Sequence, residues 1–222
     1  LERHYREDGD LRLLFAERLL REGEVTRAME IAEEGVSVFP DRRALGLRRF
    51  LSRIYRESSM DKYRENLMKL FLLERDWGLY DELKRASSEE EWGGLLGDIV
   101  KNLSGRRGFG ESLLVDVYLR EGMFDEARRE VLATGRLDVL SRYRRVLSAR
   151  YPKEYFDAYR GLLIPFTARS MGRRHYQEVV THLGAMREIE GCEDEFEKLV
   201  ASLKEEYSNR PAFLDEMRHL DE

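Results

Sequence analysis

The chain is poor in the residues that build covalent or metal-held frameworks. It contains one cysteine, Cys192, so neither an internal disulfide nor a cysteine-based zinc cluster can form within it. Four prolines and 17 glycines among 222 residues leave few helix breakers. No apolar run approaches the roughly 20 residues of a membrane-spanning helix, and no signal peptide is visible. The net charge is −5, so no global positive field draws the chain onto nucleic acid. A lone thiol with no export or membrane signal points to a reducing, cytoplasmic setting. The chain opens at Leu1 rather than at a methionine, the expectation being a piece of a longer or processed protein.

What is present is charge and helical period. Hydrophobic residues make up 42% of the chain, enough for a sizeable core, and charged residues 37%, against about a quarter in typical soluble domains. Cations are lopsided, with 32 arginines and 7 lysines. Arginine keeps its charge and pairs bidentately when partly buried, but a GC-rich coding sequence gives the same bias.

Phe196, Leu199, Val200, Leu203 and Tyr207 form one helical stripe, and Tyr176, Val179, Val180, Leu183 and Met186 another. Ala28, Ile31, Ala32, Gly35, Val36 and Phe39 form a third, with small residues where a neighbouring helix must come close. No segment carries the period-2 pattern of a strand. Short breaks at Gly23, Phe39-Pro40-Asp41, Ser58-Ser59, Asp76-Trp77-Gly78, Ser87-Ser88, Gly122, Gly135, Tyr151-Pro152, Gly172, Gly191 and Asn209-Arg210-Pro211 divide the chain into about a dozen helices. Ser88 ahead of Glu89, Glu90 and Glu91 reads as a helix start, and Pro152 and Pro211 suit first turns. Pro165 falls inside a helical run and is expected to kink or split it.

The tetrapeptide Leu-Arg-Glu-Gly occurs twice, at Leu20–Gly23 and Leu119–Gly122, and in both copies an alanine follows five positions after the glycine, Ala28 and Ala127. A glycine that can turn left-handed, then an alanine that permits close approach, describes a helical hairpin. The tetratricopeptide repeat has this plan. In the first copy Ala16, Gly23, Ala28 and Pro40 take its small, turn, small and closing positions; in the second Val115 replaces the first small residue and no proline closes. The expected fold is all-α, an irregular TPR-like α-solenoid of antiparallel helical hairpins. Its halves would be 1–104 and 105–222, with a seam in the glycine-rich stretch 104–112 or, alternatively, one continuous solenoid.

The phrases "KYRENLMKLFLLERDWGLYDELK", "YLREGMFDEARREVL", "GRRHYQEVVTHLGAMREI" and "FEKLVASLKEEYSNRPAFLDEM" resemble the C-terminal helical region of bacterial and archaeal SWIM zinc-finger proteins. The likeness spans most of residues 40–220 and rests on helical phrases rather than a catalytic motif. The family's Cys-X-Cys and Cys-X-His zinc motif is absent from this chain, so no metal ligand carries over. The resemblance implies the helical tail of a binding protein whose zinc module lies upstream, and it implies no reaction.

No cofactor is expected. His175 and His182 lie seven apart on one helix, a spacing poorer for a shared metal than the usual four. Cys192 sits among acids that suppress a thiolate. The glycines and arginines of 104–112 lack the P-loop ending and read as a hinge. The leading expectation is a non-catalytic module that holds a protein or peptide partner, or its own missing N-terminal region. First helices of hairpins line the inner surface of such folds, which nominates Glu17, Arg21, Asp116 and Arg120. The alternative is nucleic-acid contact through an arginine stripe, Arg42, Arg49, Arg53 and Arg56, opposite the apolar stripe Ala44, Leu47, Leu51 and Ile54. It is disfavoured because no aromatics interleave the arginines. An enzyme with a site between helices ranks last, and no membrane partner is expected.

Overall fold

The computed structural model describes residues 8–104 and 109–220. Its described residues form thirteen α-helices, one short 3-10 turn and no strand, so the chain is all-α. It divides into two compact units, Leu1–Gly105 and Arg106–Glu222. Residues 105–108, the centre of the expected seam, lie outside the described residues.

The first unit contains α1 (Gly9–Arg21), α2 (Val25–Val38), α3 (Leu45–Ser58), α4 (Met60–Glu74), α5 (Trp77–Arg85) and α6 (Glu89–Leu103). The second contains α7 (Phe109–Arg120), α8 (Phe124–Ala133), α9 (Leu137–Leu147), α10 (Pro152–Arg169), α11 (Arg173–Arg187), α12 (Glu193–Glu206) and α13 (Pro211–Met217), then the 3-10 turn Arg218–Leu220. Local chemistry starts several of them. The Asp8 carboxylate accepts the free backbone N–H groups of Asp10 and Leu11. Ser88 and Glu91 exchange hydrogen bonds in a capping box. Pro152 and Pro211 open α10 and α13, where no backbone donor is needed.

The two Leu-Arg-Glu-Gly turns are built alike. Gly23 and Gly122 adopt φ of 86° and 73°, a left-handed conformation costly for a residue with a Cβ. Glu24 N–H then donates back to the Leu19 carbonyl at 3.0 Å, and Met123 N–H to the Tyr118 carbonyl at 2.8 Å. These satisfy carbonyls that the helix end leaves open. Ala28 and Ala127 are fully buried at the α1–α2 and α7–α8 contacts that follow.

Within each unit, helices pack mainly on their sequence neighbours, and alternate helices also touch: α1 on α3, α9 on α11, α11 on α13. Gly35 shows how close the approach is. A Cβ there would fall 2.5 Å from Leu47 Cδ1 and 2.6 Å from Arg12 Cδ. α4, α5 and α6 are joined by a ring cluster of Phe71, Trp77, Tyr80 and Trp92.

Pro165 does not split its helix. α10 runs from Pro152 to Arg169 with Pro165 inside it. The proline is solvent-exposed, so water can serve the carbonyl that loses its partner, and the apolar face with Tyr155, Tyr159 and Leu163 stays buried. No described helix is long and apolar enough to cross a membrane.

Candidate functional site

The strongest candidate surface lies in the first unit. It is a groove of about 200 Å³ with Arg49, Ser52, Arg53 and Arg56 of α3 on one wall. Tyr63, Leu67 and Leu70 of α4 form the floor, and Leu79 and Glu82 of α5 the other wall. The apolar residues of α3 that expectation set opposite the arginines, Leu47, Leu51 and Ile54, are buried, which turns Arg49, Arg53 and Arg56 outward.

Two of those arginines are held by acids. Arg49 grips Glu74 bidentately, Nε to Oε1 at 3.1 Å and Nη2 to Oε2 at 2.6 Å. Arg53 Nη2 donates to Glu17 of α1 at 3.3 Å, and its guanidinium lies over the Phe50 ring. Arg56 makes no hydrogen bond or ion pair among the described residues and is exposed. Across the groove the Tyr63 hydroxyl donates to Glu82. Burial first, and then Glu82, push the Tyr63 hydroxyl up to about 12, so it stays protonated and keeps that carboxylate tethered.

Arg42 does not belong to this stripe. The Pro40 carbonyl accepts from the N–H groups of Arg43 and Ala44, forming a turn, and α3 begins only at Leu45. Arg42 therefore lines a separate groove with Asp8, Gly9, Asp10, Arg43 and Gly46.

The residues expected at an inner surface are divided between the units. Glu17 is half-buried and tied to Arg53, so the partner-binding and arginine-stripe expectations meet at one ion pair. Arg21 is exposed and reaches back to the Glu17 carbonyl. In the second unit Asp116 accepts from the Tyr143 hydroxyl at 3.0 Å, which ties α7 to α9. Arg120 is exposed in the last turn of α7.

Sequence reasoning missed two buried arginines. Arg12 lies under α2 against the Phe39 ring, with Glu34 at 3.6 Å. Arg144 donates to the Ala185 carbonyl at 2.6 Å and to Glu188 at 2.5 Å, joining α9 to the end of α11. Arg12 departs from an apolar stripe only by chemistry, since it occupies a core position of α1; that was the available signal.

His175 and His182 flank Phe166, and His182 Nδ1 lies 3.3 Å from Ser141 Oγ, which in turn bonds the Tyr159 hydroxyl. No group of three potential metal ligands occurs among the described residues. Burial lowers the pKa of His182, only partly opposed by Glu178 and Asp138. The unfolded chain therefore binds more protons at this residue, and its contribution to stability is lost as pH falls below the unfolded value of about 6.5. Melting temperature should drop between about pH 7.5 and about pH 5.5, and drop less in His182→Gln, which has no proton to gain. Equal drops in the two proteins would remove His182 as the cause. The Cys192 thiol is buried, and burial, then Glu195 and Glu193, raise its pKa.

The chain matches no family model, no curated protein and no solved structure.

Proposed function

We propose that the chain is a non-catalytic helical-hairpin module that binds a protein or peptide partner through the α3–α4–α5 groove. The observation that carries this reading is the groove itself: a largely apolar floor with three outward arginines on one wall and Leu79 and Glu82 on the other. Apolar floors supply binding energy, and positioned charges around them supply selectivity. Ion pairing of Arg49 and Arg53 fixes their side chains before a partner arrives, which lowers the ordering cost on binding.

Successive hairpins with contacting alternate helices support a TPR-like stack within each unit. The SWIM-like phrases fall on α4–α5, the end of α7 with α8, α11 and α12–α13, in keeping with the helical portion of such a protein. A cytoplasmic setting remains part of the proposal.

Selection from a random-peptide display library tests the reading. Peptides enriched on the chain should fail to bind a Leu79→Glu variant, whose new carboxylate would enter the groove. If no peptide discriminates between the two folded proteins, the groove is not a binding site.

A further inference from the structure

Resting on the proposed binding role of this groove, we infer that its partner is a short acidic segment carrying an apolar side chain, and that Arg56 selects for its carboxylates. The lining contains three arginines and one carboxylate, Glu82, which is engaged by the Tyr63 hydroxyl; Glu74 and Glu17, outside the lining, offset two of the arginines and leave Arg56 as the one without an acid bound to it among the described residues. The arginines differ in state. Glu74 uses two of the five N–H donors of Arg49, and Glu17 one of those of Arg53. The rest stay open to a ligand, since these side chains remain 68% and 63% exposed. Arg56 has no acid bound to it among the described residues. A guanidinium receives a carboxylate through two parallel hydrogen bonds, so each outward arginine is suited to one Asp or Glu. Leu67, Leu70 and Leu79 lie beside them and suit an aliphatic side chain on the same segment.

A nucleic acid fits the same arginines less well. Its backbone would have to pass Glu82 on the facing wall, and the one aromatic in the groove, Tyr63, is buried with its hydroxyl engaged, leaving no platform for base stacking. The chain's charge of −5 also works against holding a long polyanion, whereas a short acidic segment needs only the open guanidinium donors of Arg49, Arg53 and Arg56.

The test uses fluorescence anisotropy with three labelled nonapeptides: repeated Glu-Glu-Leu, repeated Gln-Gln-Leu, and all Glu. A dT oligonucleotide of similar length is the fourth probe. The Glu-Glu-Leu peptide should bind about tenfold or more tightly than the other three at moderate salt. Arg56→Glu should abolish that preference, while Arg42→Glu, in a separate groove, should leave it intact. Arg56 is exposed and makes no hydrogen bond or ion pair among the described residues, and a cooperative melting transition would confirm that Arg56→Glu folds.

Equal binding of Gln-Gln-Leu and Glu-Glu-Leu, both lost in Leu79→Glu, would overturn the acidic specificity and leave the groove as a binding site. Binding of every peptide that is indifferent to both Arg56→Glu and Leu79→Glu, or no binding at all, would overturn the acidic partner and count against the groove. Preferential binding of the oligonucleotide, lost in Arg56→Glu, would overturn the proposal in favour of nucleic acid.

Discussion

Phe71→Ala should destabilise the first unit by about 3–5 kcal/mol, the usual cost of emptying a buried aromatic site. Phe71 is fully buried, with ring centroids 5.5 Å from Trp77 and 5.0 Å from Tyr80. Tyr80 in turn meets Trp92 at 5.1 Å. Truncation would therefore leave a cavity where α4, α5 and α6 converge, and the aromatic pair contacts would be lost with the transfer energy. Such a loss is a large fraction of the stability of an ordinary domain. The readout is convenient, because Trp77 and Trp92 are the only tryptophans in the chain and both lie in this cluster. Tryptophan fluorescence in denaturant thus reports on the first unit. A midpoint unchanged from the parent would mean that the cluster does not hold these helices together. Loss of the cluster should also loosen the floor and far wall of the groove, so peptide binding should weaken with stability.

Ala28→Leu and Ala127→Leu should each cost about 1–3 kcal/mol by overpacking. Both alanines are fully buried where the second helix of a hairpin meets the first. A leucine there must displace α1 from α2, or α7 from α8, or take a strained rotamer. Ala149→Leu is the internal control. Ala149 is exposed in the turn after α9, where enlargement should change stability by less than about 0.5 kcal/mol. Fluorescence follows Ala28→Leu, and the second unit's unfolding by circular dichroism follows Ala127→Leu. Three variants that unfold together with the parent would show that the two Leu-Arg-Glu-Gly turns do not lead into closely packed hairpins.

Both expectations follow from different kinds of information. The helices, most of their starts and the paired glycine turns were legible along the chain, because each depends on residues within about one turn. Gly23 and Gly122 need only their own φ and bonds to Leu19, Leu20, Tyr118 and Leu119. Ser88 needs only Glu91. The buried side of α3 was equally visible, since Leu47, Leu51 and Ile54 share a face whatever packs on it. The structure departs from two local expectations: the Pro40 turn delays α3 to Leu45 and leaves Arg42 outside it, and Pro165 lies inside α10 without splitting it.

The groove was only half legible. Periodicity put Arg49, Arg53 and Arg56 on one face, but it could not say what lies across from them. Arg49 meets Glu74 over 25 positions, Arg53 meets Glu17 over 36, and Tyr143 meets Asp116 over 27. The buried Arg144 reaches Glu188 over 44. Such pairs depend on which helices become neighbours and at what rotation, and charge-rich helices offer many carboxylates of nearly equal local merit. Sequence by itself thus determined an all-α chain, its paired glycine turns and an outward basic face on α3. Only tertiary packing decided which arginines are already held by acids, which one is left open, and where leucines lie beside it. The physical reason is range: backbone conformation is settled by neighbours a few residues away, whereas a binding surface is made by side chains that only the packed helices bring together.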